Sequence, residues 1–327
     1  MTRVVHLVDD TSPGGVTRLL DYIRGSKDMA AIGRHSVTVV AGGLSRPPLI
    51  EADVIVSHVV LSWRNLPFFL ALRARYARTP LIHVEHSYSP AFLALHVSNP
   101  RRFRAMLTVS LSLFDRVVSI STAQRDWLIA FARLTEESVA LIPPFVDISR
   151  FLALDPAAGP VRRIGALGRL DPQKGFDLLL RAFVAADLPG VSLEIYGDGP
   201  QRADLEALAK GDPRIVFHGH TDDPVAAMAA VDALAMPSRR EPYGLVALEA
   251  LAAGRPLLVS RADGLQDHAR NGAIAVDRLT VEDWSAALAR LAETDHAATV
   301  ETARRRVAGA GARFAEGWAR LIEEVRR

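Results

Sequence analysis

The sequence predicts an α/β protein of two doubly wound parallel-sheet domains facing a cleft. Three observations lead there. Short β-branched runs alternate along the whole chain with longer stretches of helical apolar spacing. The runs are almost continuously apolar, as strands covered on both faces by helices must be. The alternation breaks once, at Leu152–Pro160, where small residues and two prolines separate two halves with six strand candidates each.

In chain order the first half offers strands at Val4–Asp9, Ser36–Ala41, Asp53–His58, Pro80–His86, Arg116–Ser121 and Val139–Pro143. The second offers Arg163–Gly168, Val191–Gly197, Arg214–Gly219, Ala233–Pro237, Pro256–Ser260 and Ala273–Val276. Stretches such as Leu178–Ala186 and Ala203–Lys210 carry apolar residues at helical spacing between them. The domains are expected at 1–151 and 160–304. The stretch Arg304–Arg327 is expected to form one helix, with Phe314, Trp318, Leu321, Ile322 and Val325 on one face. In such folds ligands bind at the carboxyl ends of the strands, here the ends that border the cleft.

Composition narrows the function. The chain has 327 residues, 49% hydrophobic and 23% charged, which is ordinary for a globular protein and too apolar for a disordered one. It has no Cys, which excludes disulfide scaffolds, thiolate metal sites and a cysteine nucleophile. No targeting signal and no membrane span is expected, so a cytoplasmic location is, with peripheral attachment to the inner membrane face as the open alternative. Residues 1–150 hold 17 Lys and Arg against 12 Asp and Glu, while the remainder holds 22 against 25. A basic first half fits an anionic partner or ordinary surface variation. No basic block or aromatic stacking pattern marks a nucleic-acid partner.

The most informative stretch is Pro237–Pro256, where a strand, a loop and a helix starting near Gly244 follow in turn. Backbone N–H groups at Tyr243, Gly244, Leu245 and Val246 form a natural anion site at a helix start. Glu241 just before it and Glu249 a turn and a half inside suit a ligand with phosphates and sugar hydroxyls, because carboxylates accept hydroxyl hydrogen bonds strongly. A second constellation, Gly165–Asp177, puts Arg169 and Lys174 after the first strand of the second half. The chain has 36 Arg but only three Lys, so a lysine before Gly175 reads as a chosen point charge.

Weaker signals complete the set. Tyr196-Gly-Asp-Gly-Pro200 is a glycine-rich turn in which Gly197 permits a close approach to a ligand. The loop Asp9–Val16 holds Gly14 and Gly15 but matches neither GxGxxG nor GxxxxGK[ST]. In His83-Val-Glu-His86, alternation sets His83 and Glu85 on one face and leaves His86 at the strand's mouth, as either a cleft residue or a structural histidine. The spacing is not HExxH and no third ligand is evident, so no metal is expected.

Together these residues resemble the retaining glycosyltransferases of the GT-B fold, two Rossmann-like domains, in family 4. Glu241-Pro242-Tyr243-Gly244-Leu245-Val246-Ala-Leu-Glu249 is similar to that family's E-x7-E signature, and Gly168-Arg-Leu-Asp-Pro-Gln-Lys-Gly175 to its donor-phosphate segment. Gly197-Asp-Gly-Pro200, the Gly14-Gly15 loop and Ile142–Phe151 follow the family's order. Two stretches depart from the pattern: Pro143–Asp147 replaces an Asn-Gly step, and Asp263–His268 stands where Gly-Gly-x-x-Glu is usual.

The resemblance implies that the second half binds a UDP-, GDP- or ADP-hexose and the first half a saccharide or glycolipid acceptor. Arg169 and Lys174 would hold the diphosphate, Glu249 the ribose hydroxyls and Glu241 the donor-sugar hydroxyls. His86 would lie near the sugar, Gly14 and Gly15 would form an acceptor or phosphate loop, and the last helix, about 305–327, would return to the first domain. The nucleotide sugar is a substrate, and no cofactor is implied. A nucleotide-sugar epimerase and a non-catalytic sugar-nucleotide-binding protein of the same fold are the alternatives. Leu61–Arg78 and Asn99–Arg104 combine apolar and basic residues, which fits either an anionic bilayer or a buried helix with Arg on its wet face.

Overall fold

The computed structural model describes every residue of the chain except Ser45. The contacts divide it into two compact units, Met1–Val146 with Ala310–Arg327, and Asp147–Gly309.

The first unit holds β1 (Arg3–Val8), β2 (Arg34–Val39), β3 (Val54–Ser57), β4 (Leu81–Glu85), β5 (Arg116–Ser119) and β6 (Val139–Leu141). They form one parallel sheet in the order β2-β1-β3-β4-β5-β6. The second unit holds β7 (Arg163–Leu167), β8 (Ser192–Tyr196), β9 (Ile215–Gly219), β10 (Ala233–Met236), β11 (Leu257–Ser260) and β12 (Ile274–Val276). Their order is β12-β11-β10-β7-β8-β9, again all parallel. Each strand falls on a predicted apolar run, and helices connect most of them, so this is the two-domain doubly wound α/β fold.

Burial explains why the runs were legible. In β1 five of six residues are buried, and in β10 all four are. Helices Phe176–Ala186 and Val281–Glu293 pack together on the second sheet through Leu179, Phe183, Trp284 and Leu288. Phe68, Phe69 and Leu72 anchor helix Leu66–Arg75 in the first core, while its Arg73 pairs with Asp115 at 2.8 Å. The apolar part of Leu61–Arg78 is therefore mostly committed to the interior.

The C-terminal stretch departs from expectation. It is not one helix from Arg304 but two, Ala297–Ala308 and Ala310–Arg326, broken at Gly309. Glycine has the weakest helix propensity after proline, and here it ends the first helix. The earlier helix buries Val300, Ala303 and Val307 in the second unit; only the later one belongs to the first. There Phe314 and Trp318 join an aromatic group with Tyr22, Phe145 and His6.

Each sheet has one point at which its strand order reverses. In the second sheet the order reverses between β7 and β10, in the first between β1 and β3. Doubly wound sheets bind ligands outside the carboxyl ends of strands at such a switch point.

Candidate active site

The switch-point loops of the second unit are the segments after β7 and after β10. After β7 the chain passes Gly168 and the exposed Arg169, whose guanidinium makes no hydrogen bond or ion pair among the described residues. Asp171 then caps a short turn, Pro172–Lys174, by accepting from the Gln173 N–H at 2.9 Å. Gly175 follows at φ 72°, and a Cβ there would run into the Pro237 carbonyl oxygen. Only glycine fits, and its absence of bulk lets the two loops close on one another.

That closure is built from charged contacts. Arg239 binds Asp177 through both guanidinium nitrogens, at 2.7 and 2.8 Å, and holds its carboxyl below the usual range. Arg239 also donates to the Pro172 carbonyl at 2.8 Å, and Arg240 to the Gln173 side chain at 2.5 Å. At the centre Lys174 Nζ donates to Glu241 Oε2 at 2.5 Å. The structure thus joins two residues 67 apart in sequence into one ion pair.

The pair keeps spare capacity. Glu241 is 7% exposed, and its bonds from Lys174 and from Ser238 Oγ (3.4 Å) both fall on Oε2. An ammonium has three donors, of which Glu241 takes one. Beyond the pair, Gly244 at φ 94° starts the helix Leu245–Ala252, and no side chain caps it. The helix start therefore keeps N–H groups for an anion. Glu249 is 1% exposed within the body of that helix.

Neighbouring backbone secures the arrangement. Gly197, at φ 145°, is so close to Gly168 that a Cβ would overlap the Gly168 carbonyl oxygen. The glycine turn after β8 thus makes its close approach to the turn after β7, and the Leu170 N–H donates to the Asp198 carbonyl at 2.9 Å. The segment Asp263–His268 supports the Glu241 loop: Gly264 N–H donates to the Glu241 carbonyl at 3.0 Å, and Asp263 accepts from the Glu241 N–H at 3.3 Å. His268 is buried, which pushes its imidazole down to about 4, and its Nε2 lies 3.1 Å from the Tyr243 carbonyl. A carbonyl only accepts, so the neutral ring donates.

In the first unit, Gly14 caps helix Gly15–Gly25 in extended conformation, without a side-chain cap, at the carboxyl end of β1. Ser12 N–H donates to Asp10 at 2.8 Å and shapes that loop. His83 and Glu85 do share a face, 3.5 Å apart. Burial alone would raise Glu85, but His83 and the Ser87 and Tyr88 N–H groups hold it below its usual value. His86, half-buried at the end of β4, lies 2.8 Å from His58. Among the described residues no three His, Asp or Glu side chains are grouped to hold a metal ion.

Comparison with known proteins places this architecture. A Glycosyl transferases group 1 model matches residues 161–294, and a Glycosyltransferase Family 4 model matches residues 49–150. The chain belongs to this family. Lipopolysaccharide core biosynthesis glycosyltransferase LpsE of Rhizobium meliloti is 37% identical over 146 residues, 42% of each chain. D-inositol 3-phosphate glycosyltransferase of Mycobacterium sp. is 30% identical over 282 residues, 76% of this chain and 63% of its own. The chain thus spans between about two fifths and two thirds of these relatives' lengths. Anabaena HepE, crystallised with UDP, has the same fold: TM-score 0.72 over 98% of both chains at 20% identity. No helix among the described residues is long and apolar enough to cross a membrane.

For this family 4 chain, sequence reasoning singled out Arg169, Lys174 and Glu241 but not the direct bond between the last two. It missed Ser238, Arg239, Arg240 and Asp177, which clamp the loops. Arg239-Arg240 beside Glu241 was the available signal, since adjacent cations at a strand end need partners. His58 and His6 were missed as well, and a histidine inside an apolar strand run was the cue.

Proposed function

We propose that the protein is a retaining hexosyltransferase. It moves a hexose from a UDP-, GDP- or ADP-sugar to a saccharide or lipid-linked acceptor in glycolipid, exopolysaccharide or lipopolysaccharide synthesis. The observation that carries this reading is the switch-point cluster of the second unit: an uncommitted Arg169, the Lys174–Glu241 pair and an uncapped helix start at Gly244. Breaking the anomeric C–O bond leaves negative charge on the diphosphate. Arg169, Lys174 and the helix N–H groups stabilise that charge in place and need no reorganisation. Oε1 of Glu241 accepts from a donor-sugar hydroxyl, and Glu249 from the ribose. Fixed cations do the work of a metal, so transfer survives chelation.

Retention follows from a front-face reaction. The C–O bond to phosphate breaks with its electron pair moving to the phosphate oxygen, the acceptor oxygen bonds the anomeric carbon on the same face, and its proton passes to that phosphate oxygen. The first unit binds the acceptor, with Gly14, Gly15 and His86 lining its site. The exposed Arg101 and Arg102 give it a weak peripheral hold on anionic lipid.

A thermal-shift screen across nucleotide sugars tests the donor. A true donor at about 100 times its dissociation constant stabilises by roughly 2.7 kcal/mol. Product analysis with donor and saccharide acceptors then reads the anomeric configuration, expected to match the donor's. Donor alone converted to its epimer, or bound without any transfer, overturns the reading. A covalent sugar adduct on an enzyme carboxylate overturns the front-face step.

A further inference from the structure

Four histidines of the first unit touch in series. His86 Nε2 lies 2.8 Å from His58 Nδ1, His58 Nε2 lies 2.9 Å from His6 Nδ1, and His6 Nε2 lies 3.1 Å from His35 Nδ1. They come from neighbouring strands: His35 from β2, His6 from β1, His58 just after β3 and His86 just after β4. The series therefore crosses the sheet in strand order. His6 is 0% and His58 6% exposed, while His86 is half-buried. Burial pushes His6 down to about 3, His58 well below its ordinary value and His86 to about 4. The groups facing His86 are His58, Glu85, which favours its charged form, and His83, which opposes it. Near neutrality the rings are uncharged.

A neutral imidazole has one N–H and one lone pair. Each N···N contact is a hydrogen bond only if one partner donates and the other accepts. Two facing lone pairs, or two facing N–H groups, leave buried polar atoms unsatisfied. The series then has just two satisfied states, with all protons on Nε2 or all on Nδ1, and the tautomer of any ring sets the other three. At the far end His35 Nε2 is buried without a hydrogen bond among the described residues, so the series ends there. His35 Nδ1 is engaged by His6, which ties this ring to the same two states.

We propose that His58, His6 and His35 are positioning residues: one tautomeric relay that fixes the His86 ring in a single tautomer, so that its Nδ1 meets a hydroxyl of the acceptor saccharide in one hydrogen-bonding sense. The saccharide part rests on the function proposed above; the relay does not.

Imidazole nitrogen NMR on the full chain labelled with nitrogen-15 histidine, at neutral pH, tests it. The four rings are expected neutral and all in the same tautomer, with couplings across the three N–H···N bonds. His35→Phe, which removes a ring that does not touch His86, is expected to move the His86 Nδ1 signal toward a tautomer mixture and to raise the acceptor KM several-fold. His35→Gln, whose amide can accept from His6, is expected to restore both. Rings of differing tautomer in the unaltered chain, missing couplings, or a His86 signal unmoved in His35→Phe overturns the relay. The unaltered chain's spectrum decides even where His35→Phe does not fold. A relay present in a chain that transfers no sugar refutes the functional reading alone, and sugar transfer without the relay refutes the relay alone.

Discussion

Both sheets reverse strand order and both place polar side chains beside the reversal, but they do so with opposite electrostatics. In the second unit the loops after β7 and β10 carry permanent charges, Arg169, Lys174, Glu241, Arg239 and Asp177, held by glycine-permitted close approach. In the first, beside β1 and β3, a series of buried imidazoles carries no charge near neutrality. The comparison teaches that one topology accommodates either a pre-charged or a neutral, proton-ordered site. Desolvation decides which: charges persist where partners and solvent compensate them, and histidines buried among one another lose theirs.

The contrast can be broken, starting with its largest effect. Arg169→Ala is expected to lower kcat on the order of 10²–10³-fold, about 2.7–4 kcal/mol of barrier. Steady-state sugar transfer reads this, with folding unchanged because the exposed Arg169 has no hydrogen-bond or ion-pair partner among the described residues to lose. Lys174→Met leaves the buried Glu241 carboxylate without its cation and is expected to cost about 1–3 kcal/mol of stability as well as donor affinity. Urea unfolding and donor titration separate the two losses.

The neutral region answers to pH instead. Folded His86 resists protonation until about pH 4, whereas an unfolded histidine takes its proton near 6.5. Between those values the unfolded chain binds more protons, so stability falls as pH falls, by up to about 1.4 kcal/mol per pH unit for each such histidine. Urea midpoints measured across that window check it, and a flat profile contradicts neutral burial. The smallest effect belongs to the cap of the charged loop. Asp171→Ala removes the acceptor for the Gln173 N–H and is expected to cost about 1 kcal/mol, read as a lowered melting temperature with donor affinity reduced only slightly.

How legible each region was follows from the range of its interactions. The uncapped helix start after Gly244 could be read locally, since a strand, a loop and a helix start lie within one short stretch. The Lys174–Glu241 bond could not, because it spans 67 residues and depends on β7 pairing with β10. The close packing of Gly197 on the Gly168 backbone was not legible, because it too depends on two strands lying side by side. The break at Gly309 escaped a pattern dominated by the apolar face of Phe314, Trp318, Leu321 and Ile322. His86 was visible at the mouth of β4, but its partners sit on three other segments.

By itself the sequence determined the twelve strands, the two doubly wound sheets and the glycine turns and helix start that follow them, because apolar periodicity and glycine or helix-start chemistry are local properties. Only the tertiary structure decided which charges meet and which histidines lose theirs. Both depend on strand order and on the exclusion of water, and neither is a property of any short segment of chain.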